Sequence, residues 1–506
     1  MMSRRQLLAQ AALGLAAGSA DAAQTGVREL FLDDEGIERL EGLARTMHQP
    51  AKKGAVIRPN VDRGETALQT RSAPAWDPVA RVYKLWMITS ATYSGTTYAE
   101  SEDGLHWRKP LLRQCTVNGS MENNYVTPDP SREWPANVIE NVVCDPDERD
   151  PARRFKGFAH CLRREPMVSA DGIRWHLLAV PPIPSQDESN LSYDRRRRTF
   201  IATVKEGGPH GRSVFISTSK DFEHWTAPVL MFHADDEDQI VGRADIERHL
   251  RDRTLAQPAL NTPDTYNVDI YNMGVFRYEG LYVGLPTVFH KTGQVPGSWP
   301  GFADWDVTPE ALAAYRQSGD WSGFHHVQLA CSRDLRAWTR LGDRRPFIDV
   351  SRLDSGAYDL ATVIGPSSPV PHGDELWFYY TGIKRYGGPA PRRGVYRDQG
   401  AICLAVLRRD GFVSLDAGQK PGVLLTKPRR WPGRPLHVNA DAPRGELRVE
   451  VLDGGGRVLA ASAALTGDTT DGTVRWASGS AEDLRGETVR LRFMLRQARL
   501  YAYWFG

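Results

Sequence analysis

Ser101-Glu102-Asp103-Gly104-Leu105-His106-Trp107 ends an apolar, strand-like run and begins a polar loop, and the chain repeats the pattern. It returns as Ser169-Ala170-Asp171-Gly172-Ile173-Arg174-Trp175, as Ser219-Lys220-Asp221-Phe222-Glu223-His224-Trp225, and as Ser332-Arg333-Asp334-Leu335-Arg336-Ala337-Trp338. A weaker fifth copy is Arg409-Asp410-Gly411-Phe412-Val413-Ser414-Leu415. Ser and Asp two residues apart each accept hydrogen bonds from a turn backbone. Glycine relieves the steric limit there, and the Trp packs onto a neighbouring strand. A unit of this kind, repeated at long spacing in an all-β pattern, predicts a propeller, and five copies predict five blades.

The runs between the turns read as strands, being short, β-branched or aromatic, and bounded by turn residues. Examples are Val82 to Ile88, Asn141 to Asp145, Phe155 to His160, Asn190 to Asp194, Val268 to Phe276 and Leu376 to Tyr380. The run Arg195-Arg196-Arg197-Arg198 lies between two of them and reads as a solvated hairpin turn. The gap from Ser219 to Ser332 holds an acidic stretch, Asp235 to Asp238, and helical patches around Asp245 to Leu250 and Pro309 to Tyr315. Long insertions of this kind serve as binding loops, lids or peripheral packing.

A second composition begins near Lys427, after which Pro428, Pro432 and Pro435 mark a linker. Leu447, Val449 and Val451 then alternate with charged residues, as do Val489, Leu491, Phe493 and Leu495, around a Gly454-Gly455-Gly456 turn. That is an antiparallel sandwich pattern. The expected organisation is an all-β chain: a signal over residues 1–22, a five-bladed propeller over 28–426, and a small β-sandwich over 427–506. The sandwich is expected to act as a structural cap rather than a sugar binder.

The 506 residues carry a net charge of +2 with 25% charged residues, so no nucleic-acid surface is expected. Ser3-Arg4-Arg5-Gln6-Leu7-Leu8, the apolar stretch Ala9 to Ala17 and Ala20-Asp21-Ala22 have the form of a twin-arginine signal with a cleavage site. The expectation is export to the periplasm or beyond, without membrane insertion. Five scattered cysteines with no C-x-x-C pair support neither a full disulfide framework nor a metal cluster. They read as small buried residues, with room for one oxidised pair.

In a propeller the inner strands converge on the axis, and their starting ends line one funnel. Those positions give Glu65, then Asn137 or Glu140, then Asp187 and Glu188, Asp269, and Asp359. Recurrent carboxylates in one cleft suit glycoside hydrolysis: one, protonated, protonates the leaving oxygen, and another, ionised, attacks or activates water. Mutual repulsion and desolvation separate the two roles. Glu65, Asp187, Asp269 and Asp359 are therefore the expected catalytic residues. His48, Asn123, Asn124, Asn190, Tyr271, Asn272 and His290 are candidates for binding sugar hydroxyls, and Trp299 and Trp305 for stacking on a sugar face. His290 has no second ligand at useful spacing, so neither a metal nor another cofactor is expected.

The S-x-D-G-x-x-W turns, the segment Asp145 to Lys156 and Trp377-Phe378-Tyr379-Tyr380-Thr381-Gly382 resemble five-bladed glycosidases of the invertase, levansucrase and arabinanase superfamily. The opening Leu30 to Asp34 and Arg45 to Pro50, and the closing Leu447 to Asp453 and Leu491 to Phe505, are similar to secreted bacterial glycosyl hydrolase-like proteins. The resemblance implies an exported glycosidase acting on a plant or microbial oligo- or polysaccharide. The alternative is a carbohydrate-binding propeller without catalysis; a lyase or phosphorylase on the same scaffold ranks third. The invertase motifs W-x-N-D-P-N-G and E-C are missing. Arg149-Asp150-Pro151 matches the letters of R-D-P, but it follows an inner strand in a hairpin loop, so no catalytic role is transferred to it. Sialidase turns are one residue longer from Ser to Trp.

Overall fold

The computed structural model describes residues 26–506 except 64, 66, 91–94, 188, 301, 303–311, 314–315, 318, 386–397 and 480. The signal segment, Glu188 and Trp305 lie outside the described residues. The chain is built mostly of strands, with one long α-helix, α1 (Asp236–Arg251), among the described residues. No described helix is long and apolar enough to cross a membrane.

Two compact units divide the chain: Met47–Phe412, and the N-terminal residues through Thr46 together with Val413–Gly506. The sequence reading put the division at 427, because the prolines beyond it look like a linker. They instead join two strands of one sheet. Gly422–Thr426 pairs with Thr488–Arg496, which pairs with Leu436–Leu452, and Val413–Ala417 pairs with Ala498–Phe505. Ile37–Glu41 extends the same sheet beside Gly422–Thr426. The alternation read from the sequence is present: Val489, Leu491, Phe493 and Leu495 are buried. The intervening arginines pair with acids of the same sheet, Arg490 with Glu38 (2.7 Å), Arg492 with Glu450 (2.6 Å) and Arg496 with Glu446 (3.1 Å).

In the larger unit the strands form successive antiparallel four-strand sets. The first is Ala67–Gln69, Val82–Ser90, Gly95–Ser101 and Tyr125–Val126. The second is Ile139–Cys144, Phe155–Ala159, Arg163–Ser169 and Trp175–Leu177. The third is Asn190–Asp194, Thr199–Gly208, Gly211–Ser219 and Val229–Phe232, and the four arginines form its first hairpin turn. The fourth takes Asn267–Tyr278, Leu281–Val295, then Asp320–Val327 with Ala330–Ser332, and Thr339–Arg340. The fifth takes Thr362–Ile364, Glu375–Ile383 and Gly400–Arg408, and its last strand is Ala51–Ile57 from the start of the unit.

Separate apolar clusters cement each set to the next. Trp86, Tyr98, Phe155 and Trp175 lie between the first and second sets, and Phe158, Phe200 and Phe222 between the second and third. Ile201, Ile216, Val268 and Met273 join the third to the fourth; Tyr271, Phe289, Ile364 and Ile383 join the fourth to the fifth. Leu68, Leu85, Trp377 and Ile402 join the fifth back to the first. Burial of about 1.5–3 kcal/mol per large apolar side chain makes these five seams the main source of cohesion.

Each Ser/Asp/Trp turn is built as its residues require. Ser101 Oγ accepts from Gly104 N (2.9 Å), and Asp103 Oδ1 accepts from Leu105 N and His106 N (2.8 Å each). The copies at 169, 219 and 332 repeat these bonds. The fourth turn residue is left-handed in all of them: Gly104 (φ 78), Gly172 (φ 72), Phe222 (φ 68) and Leu335 (φ 67). At the weaker copy, Asp410 is buried and accepts from the Tyr278 hydroxyl at 2.7 Å instead. All five cysteines are free thiols, three of them buried.

Candidate functional site

Side chains from sets far apart in sequence meet along the first strands of the sets. Asn190 Nδ2 (third set) donates to the Arg71 carbonyl (first set) at 2.9 Å, and Asn272 Nδ2 (fourth) donates to Asn190 Oδ1 at 2.9 Å. Ser367 Oγ (fifth) donates to the same Arg71 carbonyl at 2.6 Å. Asn190 and Asn272 thus stitch inner strands together and are buried, whereas the sequence reading gave them to sugar hydroxyls. Asn123 closes its own loop, donating to the Cys115 carbonyl at 2.9 Å. Asn124 donates to Glu65 and to the Tyr98 carbonyl. His48 is half-buried, with its backbone N–H on the Phe412 carbonyl. Trp299 packs edge-on against Phe302.

Each carboxylate expected to be catalytic has a basic partner. Glu65 is fully buried and bonded to Lys109 and to the Asn60 N–H (2.6 Å). Asp359 is held by Lys52 (2.7 Å) and the Tyr380 hydroxyl (2.8 Å). Asp269 receives both arms of Arg212 (2.9 and 3.1 Å) and Lys291 (2.7 Å). Glu140, the second-set position, is paired with Arg164. These acids are covered by the fold, and the recurrence seen in the sequence is a recurrence of buried ion pairs. Asp187 differs: bonded to Lys205 at 2.6 Å, it keeps 38% of its side chain exposed.

Lys205 and Arg212, the partners of Asp187 and Asp269, both lie against the ring of Tyr271. Lys205 Nζ sits 3.7 Å from the Tyr271 ring centre and the Arg212 guanidinium 4.8 Å from it. Such cation–π contacts hold both charges in place when partly desolvated. Beneath Tyr271 lie His325, edge-on at 5.0 Å, and Phe289, stacked on His325 at 4.0 Å. Lys291 bridges Asp269 and the ring of Trp321, 4.6 Å away.

Asp320, one residue before Trp321, was missed from the sequence. It is half-buried, and its carboxyl is pushed up to about 6 by desolvation, against the pull of its neighbour's N–H and the charge of Arg212. Its position at the start of a third strand, after a long insertion, falls outside a search of inner-strand ends. The acid–aromatic pair Asp320-Trp321 was the available signal. Lys205 and Arg212 on Tyr271 thus connect two acids: Asp187 is bonded to Lys205, and Asp320, raised by burial, feels the charge of Arg212. A carboxyl group raised in this way suits the proton-donor role in acid/base chemistry.

His290 belongs elsewhere. It is 1% exposed, and its imidazole stacks on Phe324 (4.8 Å) and faces Asp245 of α1 (3.7 Å). One ligand atom from each of Asp245, His290 and His326 lie within 4.8 Å of one another. The expectation that His290 lacks fellow ligands is corrected: they arrive from a helix and a neighbouring strand, which linear spacing does not reveal.

The chain is similar to glycoside hydrolases of known structure. Among them are a glycosyl hydrolase from Bacteroides ovatus (14% identity, TM-score 0.39, covering 72% of this chain and 94% of that one) and the Bombyx mori GH32 beta-fructofuranosidase BmSUC1 (7%, 0.39, 90% and 94%). An N-acetylgalactosamine deacetylase from F. plautii, solved with blood group B trisaccharide, is also similar (12%, 0.40, 74% and 96%). No protein-family model and no curated protein matches the sequence.

Proposed function

We propose that this protein is an exported glycoside hydrolase, with a five-bladed propeller and a small β-sandwich domain, that cleaves an oligo- or polysaccharide. Asp320 is the proton donor, and Asp187 is the carboxylate that attacks the anomeric carbon or activates water. The supporting observation is that Asp320, raised to about 6, feels the charge of the Arg212 that lies over Tyr271, while the part-exposed Asp187 is bonded to Lys205 on the same ring.

Asp320 gives its proton to the glycosidic oxygen as the bond to the anomeric carbon breaks, and positive charge grows on the ring. Asp187 meets that charge from the other side, and Lys205 and Arg212 fix the geometry from Tyr271. Asp269 keeps Arg212 and Lys291 aimed. Of the acids expected from the sequence, Glu65 and Asp359 act as struts.

The second reading, a carbohydrate-binding propeller without catalysis, is favoured by the burial and pairing of Glu65, Asp269 and Asp359. A panel of plant and microbial glycans incubated with wild type, Asp320→Asn and Asp187→Asn separates the two. Reducing-end release by wild type, reduced at least about 100-fold in both variants, is expected for an enzyme. Glycan binding equal in all three, with no release, supports the binding module.

A further inference from the structure

We infer that Asp245, His290 and His326 form a structural divalent-metal site, best suited to Zn2+, that pins α1 to the fourth set. Two neutral imidazoles and one carboxylate are the donor set of a borderline ion, whereas Ca2+ and Mg2+ favour oxygen alone. All three side chains are nearly closed to solvent, at 6%, 1% and 1% exposure.

The helix is shaped to bring Asp245 there. Asp238, Gly242, Asp245, Ile246 and His249 form its buried face. At Gly242 a Cβ would collide with Val268, so the helix approaches the fourth set there only through a glycine. Its N-terminus is closed by a capping box of Asp235 and Asp238, and Arg344 grips Asp235 (2.8 Å) and Glu237 (2.8 Å). The acidic stretch is thereby anchored at one end of the helix, and the triad lies further along.

The imidazoles are held for ligation. Phe324 is sandwiched between His249 (4.0 Å) and His290 (4.8 Å), with interplanar angles of 12° and 3°. His326 lies 4.6 Å from His290, centre to centre, and its Nε2 is 3.3 Å from the Gln328 amide nitrogen. Two buried polar atoms in this group have no hydrogen-bond partner: His290 Nδ1 and Gln328 Oε1. The Asp245–His290 contact of 3.7 Å is longer than a hydrogen bond. The long contact between His290 Nε2 and Asp245, with the unpartnered Gln328 oxygen close by His326, leaves this buried cluster short of one central partner. A cation supplies it, drawing the ligands in to about 2.0–2.2 Å, with the Gln328 carbonyl oxygen as a fourth ligand. The burial of the triad leaves no open position for substrate, so the ion is structural and separate from the acids around Tyr271.

The test uses the full-length protein, stripped with a chelator and reloaded with Zn2+ alone. One zinc per chain by elemental analysis is expected, with a melting temperature that falls on stripping and recovers on reloading. Co2+ loading should give the visible absorption of a site with nitrogen and oxygen ligands. Asp245→Asn and His290→Gln should bind Zn2+ more than about 100-fold more weakly, while His176→Ala, exposed elsewhere, should keep the full stoichiometry. Because a variant can misfold, the wild-type Zn2+ and Co2+ data stand alone. Less than a tenth of an equivalent of zinc on the folded wild type, or full stoichiometry in folded Asp245→Asn and His290→Gln, overturns the site.

Discussion

The indole N–H of Trp86 donates to the carbonyl oxygen of Gly172 at 2.8 Å, tying the second strand of one set to the turn of the next. Tyr379 does the same for Gly104 at 2.9 Å, across the seam between the fifth set and the first. The repeated turn is therefore an intersheet fastener. At Gly172 a Cβ would stand 2.6 Å from Trp86 Cζ2, on a backbone at φ +72. Gly172→Ala combines left-handed strain of about 1–2 kcal/mol with displacement of a buried indole, costing about 1–3 kcal/mol more. Urea unfolding should show a loss of about 2–4 kcal/mol; an unchanged midpoint would refute the fastener.

Where the neighbouring aromatic is Phe158, which has no polar donor, the turn carries Phe222 in place of glycine. Phe222 is buried against Phe158, Phe200 and Trp225 despite φ +68. Leu335 occupies the same place but is only partly buried. Phe222→Gly should cost about 2–4 kcal/mol, the lost packing exceeding the relieved strain. Leu335→Gly should stay within about 1 kcal/mol of wild type, since the two effects nearly cancel. Equal losses at both sites would mean that backbone conformation, not packing, decides.

Lys52 neutralises Asp359 at 2.7 Å where the carboxylate has only 2% exposure. Lys52→Met leaves a buried charge uncompensated, a change worth about 3–5 kcal/mol. Adding Asp359→Asn should recover most of that loss, since the remaining side chains carry no charge. The folded double variant should retain turnover within a few-fold of wild type. A double variant that is stable but inactive would return Asp359 to the chemistry.

The turns and strand runs were legible because their determinants are local: a Ser, an Asp two residues on and a Trp four residues further form their bonds within one loop. Glu65 was legible as an acid at the right place, but its partner Lys109 lies 44 residues away, so burial and pairing could not be read. Asp245, His290 and His326 are united only by helix packing and cross-strand register. Asp320 gains its character from desolvation, which no spacing rule records. Tyr271 was read as a hydrogen-bonding group, whereas in the structure its ring lies against two cations.

Asp320 gives a pH signature of its own. Its folded value of about 6 lies above the ordinary 3.8, so the native state binds the proton more tightly than the unfolded chain. The fold is therefore penalised as pH rises from about 4 to about 6, and the penalty is complete above 6, at about 3 kcal/mol. Asp320→Asn should stabilise the protein by about that amount at pH 7.5 and leave it unchanged at pH 3.5. Turnover should fall at least about 100-fold. Wild-type activity should decline tenfold per pH unit above about 6 as the donor ionises. Equal stability effects at both pH values would contradict the raised value.

Arg212 links the two halves of this arrangement, because it holds Asp269 with both arms and its charge favours ionised Asp320. Arg212→Lys keeps the charge but loses the planar fork and the stacking over Tyr271 and Phe289. Arg212→Gln removes the charge as well and leaves Asp269 with Lys291. Without that positive neighbour Asp320 should hold its proton to higher pH, so the alkaline limb of activity should move upward in Arg212→Gln while the maximal rate drops. Arg212→Lys should lose rate through misplacement yet keep the limb near its wild-type position. The two variants thus separate charge from geometry in pH–rate profiles. A limb that stays fixed in Arg212→Gln would show that Asp320 does not sense Arg212, and the proton donor would have to be sought elsewhere around Tyr271.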